Sequence, residues 1–198
     1  KQLAQKIARR ADLTVYSAHG LETYVASLSP RETALVPNGV DFEFFHSTNG
    51  AHASPHPLVK KIPRPIVLYA GILDSRLDWG LISHVANNLP EVSFVLAGPS
   101  AVEFNRWTWP ENVHFLGSVS HKELPQLMAS ATAGIIPFDV QNKMDLIQGI
   151  RPLKLLEYMA AGLPVVCARW AEVENMHSPA FLYADGQECV ELIEQVVA

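Results

Sequence analysis

An α/β fold, a parallel sheet covered by helices on both faces, follows from three features of this chain. From residue 65 onward, short apolar runs alternate with helical patterns. The runs are continuously apolar, as strands buried on both faces require. Several of them end in Gly or Pro, the punctuation of a strand running into a loop. Composition agrees: the 198 residues are 48% hydrophobic and 18% charged, enough for a substantial core.

Residues 2–10 carry Leu3, Ala4, Ile7 and Ala8 at helical spacing, with Lys and Arg between them. That basic helix reads as a solvated face, and it also admits peripheral contact with an anionic membrane. Leu13 to Tyr16 reads as a strand, and Ser17 is placed to cap a helix over about 18–28. Thr33 to Val36 reads as a short strand. It runs into the turn Pro37 to Asp41, where Asn38-Gly39 takes positive φ cheaply. Residues 46–64 have linker or surface-loop composition, with several Pro, Ser and His residues. Their histidines, His46, His52 and His56, lack the spacing of a metal site.

The regular alternation then begins. Strands are expected at Pro65 to Gly71, Val92 to Gly98, Val113 to Gly117 and Ala133 to Phe138, with a helix over 78–88. Ser120 and Glu123 form a capping box for a helix reaching about Ser130. Further strands are expected at Pro164 to Cys167 and Phe181 to Tyr183. A final helix starts at Asp185, with Glu188 at capping-box spacing.

Several function classes fall away. A net charge of −5 gives no basic field for nucleic acid. The two cysteines, Cys167 and Cys189, make neither a disulfide framework nor a metal spacing. No signal peptide or apolar run of membrane-spanning length is visible, so a reducing, cytoplasmic compartment is the default. The chain starts with Lys and opens on a helical pattern, which reads as a piece of a longer protein. G-x-G-x-x-G and the Walker A pattern are both absent, which disfavours a Rossmann dehydrogenase and a P-loop NTPase. No Ser-His-Asp order appears, and His84, His114, His121 and His177 read as surface or packing residues.

The chemistry concentrates in Arg151 to Val166. Pro152 suits the first position of a helix, Gly162 its left-handed end, and Pro164 blocks its continuation. Lys154 and Glu157 then share one face near the helix start. A cation in a first turn is unfavourable for the helix alone, but free N–H groups and the dipole there favour a phosphate. A carboxylate one turn on can accept hydrogen bonds from paired ribose hydroxyls. Spacing alone leaves two readings open, a nucleotide-diphosphate seat or an exposed helical ion pair. The stretch from Asp139 to Arg151 is long for an α/β connection and polar enough to meet a sugar, through Asn142 among others. Arg151 at its end has the fork geometry that clamps phosphate.

Taken together, Asn38-Gly-Val-Asp41, Leu68-Tyr-Ala-Gly71, Phe94 to Pro99, Asn112 to Gly117, Ile136-Pro-Phe138 and Pro152 to Val166 resemble the GT-B-fold glycosyltransferases of the "glycosyl transferases group 1" type. The resemblance covers nearly the whole chain. It implies a Rossmann-like C-terminal, nucleotide-sugar-binding domain at 65–198, a linker at 42–64, and the last elements of an N-terminal acceptor domain with the crossover at 1–41. It also implies transfer of a sugar, from UDP-sugar in preference to GDP-sugar, to a glycan or lipid-linked acceptor. No metal or cofactor is expected, and the base lies on the absent domain. The expected localisation is cytoplasmic, with the inner membrane face as an option.

Carried over by residue, Glu157 resembles the ribose-binding carboxylate. Lys154 resembles the phosphate-binding lysine of the P-x-K-x-x-E subgroup. Gly71, Arg76, Phe138, Asn142 and Arg151 complete the expected donor site, and the backbone after Gly117 is expected near the base. Three positions depart from the common pattern. Gly149 stands where a second glutamate meets the donor sugar, Ile72 where an Arg is usual, and Trp79 where a Lys is usual. The loop Gly71 to Asp78 looks instead like the G-x-x-[DE]-x-R-x-D version found in bacterial polysaccharide transferases. The alternatives are a nucleotide-sugar epimerase or hydrolase of the same fold, and a non-catalytic binding domain, which the missing glutamate favours.

Overall fold

The computed structural model describes residues 2–48, 54–101 and 108–198. Six parallel strands form the main sheet in the order β5-β4-β3-β6-β7-β8. They are β3 (Ile66–Ala70), β4 (Ser93–Ala97), β5 (Val113–Gly117), β6 (Ala133–Ile136), β7 (Val165–Ala168) and β8 (Phe181–Tyr183). Every residue of β3, β4, β6 and β7 is buried, which is what their unbroken apolar runs predict for a sheet covered on both faces. Helix α4 (Trp79–Asn88) packs against α9 (Gly186–Val197), while α3 (Phe42–His46) packs against α5 (Leu124–Ala129) and α7 (Leu153–Ala160). The predicted α/β class stands.

A second, two-stranded parallel sheet pairs β1 (Thr14–Tyr16) with β2 (Thr33–Leu35). It is flanked by α1 (Gln2–Ala8) and α2 (Glu22–Ser27). Ser17 does not cap this second helix. The helical stretch begins as a 3-10 turn at His19–Leu21 whose N-cap, Ala18, makes no side-chain bond. Nor does the Asn38-Gly39 turn use positive φ; neither residue adopts it. Asn38 acts instead through its side chain, which donates to the Arg151 carbonyl at 3.0 Å and ties this unit to the main one.

Residues 42–64 are only partly the linker that was expected. Asp41 caps α3 by accepting from the Phe44 N–H at 3.0 Å, and Phe45 is buried. Pro57–Val59 forms a 3-10 turn, and His56 is 2% exposed, its N–H donating to Ser130 Oγ. Residues 49–53 of that segment, with His52, lie outside the described residues. Two further short helices stand where loops were expected, α6 (Met144–Ile147) and α8 (Ala171–Glu174).

At the carboxyl edge of the sheet the glycines do two jobs. Gly162 takes the left-handed conformation, φ +71°, that closes α7. Gly98, φ +146°, serves close approach: a Cβ there would lie 1.9 Å from the Gly71 carbonyl oxygen. Because that atom is backbone, Gly98→Ala is expected to cost about 3 kcal/mol, read as a lowered urea midpoint.

Candidate functional site

The site is built around the start of α7. Tyr158 is fully buried, and its ring covers Gly134, where a Cβ would meet Tyr158 Cδ2 at 2.6 Å. Its hydroxyl accepts from the Ala70 N–H at 2.7 Å. These contacts lock α7 to β6 and to the end of β3. They bring the face carrying Lys154 and Glu157 to the loop after β3. Pro152 sits at the N-cap rather than one residue inside, and no side chain caps the first turn. Leu153 and Lys154 line the adjoining cavity, so the open N-terminus of the helix borders it.

That cavity, of 310 Å³, is bounded by Gly71, Arg76, Gly98, Pro99, Lys154 and Glu157 among others. The Lys154 side chain lies against Gly71, where a Cβ would stand 2.9 Å from its Cε and 3.1 Å from its Nζ. Its ammonium is 5.3 Å from the centre of the Tyr69 ring and 5.6 Å from that of Phe138. Within the described residues no carboxylate reaches it at ion-pair distance. Burial lowers the Lys154 pKa and Arg76 lowers it further, against the opposing pull of Glu157 and Asp74. Burial also raises the pKa of Glu157, against the pull of Lys154 and His121. An exposed Lys–Glu ion pair is therefore not what forms here. The two groups flank one cavity, and the cation lacks an anion.

Arg76 joins this group. Its guanidinium lies 5.9 Å from the Phe138 ring centre and is held by Asp74. Phe138 is buried and backed by Trp170, ring centres 5.7 Å apart. Its ring thus lies near both cations, while Phe138 itself lines a second, larger cavity and not this one.

Two expected residues stand elsewhere. Arg151 turns to Glu172, Nη1 to Oε1 at 2.9 Å, and does not line the cavity. The Glu172 side chain is 1% exposed and accepts from the Gly20 N–H as well, with His19 at 3.7 Å. The neighbouring position is also filled by packing, since a Cβ on Gly149 would meet Leu21 Cδ2 at 2.5 Å. Asn142 is exposed and bonds Asp139, from both its N–H and its side-chain amide, in a local turn. Tyr69 and Tyr158 were not among the expected residues. The one signal for Tyr158 was its place one helical turn beyond Lys154 on the same face.

A larger cavity of 570 Å³ opens between the starts of α4 and α9. Its acids, Asp78 and Asp185, are already committed as helix caps. Among the described residues no cluster of His, Cys, Asp and Glu is arranged to hold a metal ion, and no helix is long and apolar enough to cross a membrane. The smaller cavity is lined by a half-buried lysine that has no carboxylate at ion-pair distance among the described residues, and it is the candidate site.

Residues 64–198 match the family model described as glycosyl transferases group 1. The teichuronic acid biosynthesis glycosyltransferase TuaH of Bacillus subtilis is 29% identical over 98% of this chain and 49% of its own length. Sulfoquinovosyl transferase SQD2 of Arabidopsis thaliana is 28% identical over 81% of this chain and 31% of its own. The chain thus spans about half or less of the curated relatives it matches. Among solved structures, Anabaena HepE in complex with UDP-glucose superposes with a TM-score of 0.76 at 18% identity, covering 98% of this chain and 56% of that one. Sucrose-phosphate synthase from Thermosynechococcus elongatus gives 0.71 at 20% identity, covering 98% and 51%.

Proposed function

The chain belongs to the glycosyl transferases group 1 family, of GT-B fold, and from that premise we propose that it is the donor-binding half of an enzyme that transfers a sugar from a UDP-sugar. One observation carries the proposal: Lys154 holds a half-buried amine at the uncapped start of α7, with no carboxylate at ion-pair distance among the described residues. Partly desolvating a cation with no close counter-ion costs free energy, and a diphosphate in the cavity offsets that cost. Glu157, one turn along, accepts hydrogen bonds from the ribose hydroxyls. The preference for UDP is supported by HepE, solved with UDP and UDP-glucose, and by neighbours named as UDP-forming trehalose-phosphate synthases. The acceptor we assign to the glycan or lipid-linked class, in keeping with the names of the curated relatives.

The chemistry is electrostatic. As the bond between the sugar and the diphosphate breaks, negative charge grows on the departing oxygens. Lys154, Arg76 and the N–H groups at the start of α7 are set to receive it. These cations take the part that a metal plays in other transferases, so the reaction proceeds without metal. We place the base for the acceptor hydroxyl in an N-terminal domain of which residues 1–41 are the last elements, with 65–198 as the donor domain. The chain alone then binds nucleotide and transfers nothing. The filling of the Gly149 position by Leu21 favours a second reading, a binding domain without catalysis. Transfer by the full-length protein separates the two.

Calorimetric titration with UDP, UDP-glucose and a GDP-sugar tests the proposal, with UDP and UDP-glucose expected to bind more tightly than the GDP-sugar. No binding of any of them refutes it. The pH dependence is a sharper form of the same test. UDP affinity falls as pH rises through the lowered pKa of Lys154, because the ammonium is lost. It also falls as pH drops through the raised pKa of Glu157, because the carboxylate is lost. Lys154→Ala removes the alkaline limb and leaves the acid limb. An alkaline limb unchanged in that variant assigns it to another group.

A further inference from the structure

The loop between β3 and α4 is stitched to both neighbours. The Leu73 N–H donates to the Pro99 carbonyl and the Ala101 N–H to the Leu73 carbonyl, both at 2.9 Å. On the other side the Asp78 N–H donates to Pro137 and the Asp139 N–H to Arg76, both at 2.8 Å. This fixes the backbone of Arg76 but not its long side chain. Asp74 does that. Its Oδ1 accepts from the Arg76 backbone N–H at 2.9 Å, and the carboxylate takes Nε at 3.0 Å on each oxygen and Nη2 at 2.5 Å. Among the described residues Nη1 makes no hydrogen bond, and Arg76 lines the cavity.

Resting on the donor-site reading above, we propose that Asp74 is a positioning residue that holds Arg76 as the second cation for the diphosphate, with Nη1 as its free donor. The arrangement is unusual in charge. A carboxylate beside an anion site opposes the anion, so Asp74 earns its place only through the geometry it imposes. It also counters the repulsion between Arg76 and Lys154, which both lie near the Phe138 ring while the site is empty. Charge and geometry therefore predict opposite signs for the loss of Asp74. On charge alone, Asp74→Asn tightens UDP. On positioning, it weakens UDP, because the fork is released and Arg76 must be ordered anew on binding.

The experiment is a double-variant cycle on this chain, read by calorimetry with UDP and with uridine. Thermal unfolding confirms that each variant is folded. The expected result is an approximately tenfold loss of UDP affinity in Asp74→Asn, unchanged uridine affinity, and no further loss when Asp74→Asn is added to Arg76→Ala. Asp74→Glu, which can rebuild the pair, recovers part of the loss. Arg76→Lys, which keeps the charge but not the fork, does not recover the affinity lost in Arg76→Ala. Tighter or unchanged UDP binding in Asp74→Asn overturns the proposal, as does an equal loss in the Arg76→Ala background. If the unaltered chain binds no UDP, the donor-site reading fails, and this inference with it. If it binds UDP and the variants give the wrong sign, only this inference fails.

Discussion

Replacing Lys154 by Met raises the stability of the ligand-free chain by about 1 kcal/mol, or roughly 2–4 °C in Tm, while lowering UDP affinity about 30- to 100-fold. The two effects share one cause. Lys154 is a half-buried ammonium packed against Gly71 and near the Tyr69 and Phe138 rings, with no carboxylate at ion-pair distance among the described residues. Methionine fills similar space without the desolvation cost, so the empty site relaxes. The same exchange deletes a charge-assisted contact to phosphate, worth about 2–3 kcal/mol. The pH dependence carries the sign. Because the folded-state pKa of Lys154 lies below its unfolded value, the unfolded chain holds that proton more tightly. Stability therefore rises with pH between the folded and unfolded values, and this rise is absent in Lys154→Met. Thermal scans across that alkaline range, with UDP titrations beside them, check both halves. A variant less stable than the parent shows that Lys154 is structural and not held in wait for an anion.

Glu172→Ala lowers stability by about 3 kcal/mol in urea unfolding, with UDP affinity unchanged in the folded protein. Glu172 is a buried carboxylate that serves Arg151 and the Gly20 N–H together, and the Arg151 side chain is only 16% exposed. Removing the acid strands a buried guanidinium and frees the 3-10 turn at His19–Leu21 from the main sheet unit. Cleavage near Gly20 by a nonspecific protease should rise accordingly. Exchanging both partners, Arg151→Met with Glu172→Leu, recovers most of the loss, because an apolar pair leaves no orphaned charge. Weakened UDP binding in that double variant returns Arg151 to the donor site.

The Arg151 result shows where sequence reasoning ran short. A cation before a helix start points to an anion, and it does have one. The anion is Glu172, twenty-one positions away in sequence, and no local spacing marks the pair. The main strands were legible because burial on both faces leaves an unbroken apolar signature. Val113–Gly117 was readable to the residue. The capping pairs Ser120–Glu123 and Asp185–Glu188 were legible because they act over one turn. Short elements held by distant contacts were not. Phe42–His46 carries a cap and one buried ring, too little periodicity to stand out from a linker. Met144–Ile147 is a single turn inside a polar loop. Within the site, Lys154 and Glu157 were marked by helical spacing. The Tyr69 and Phe138 rings beneath the lysine, and the Tyr158 hydroxyl that seats the helix, depend on which strands lie side by side.

The central claim is that UDP enters the small cavity at the start of α7 and not the larger one between α4 and α9. Backbone amide NMR spectra recorded during a UDP titration test it directly. The predicted result is a set of saturable shifts centred on Gly71, Gly98, Lys154 and Glu157. Shifts confined to His84, Asp185 and Gly186 around the larger cavity, or none at millimolar UDP, would contradict it.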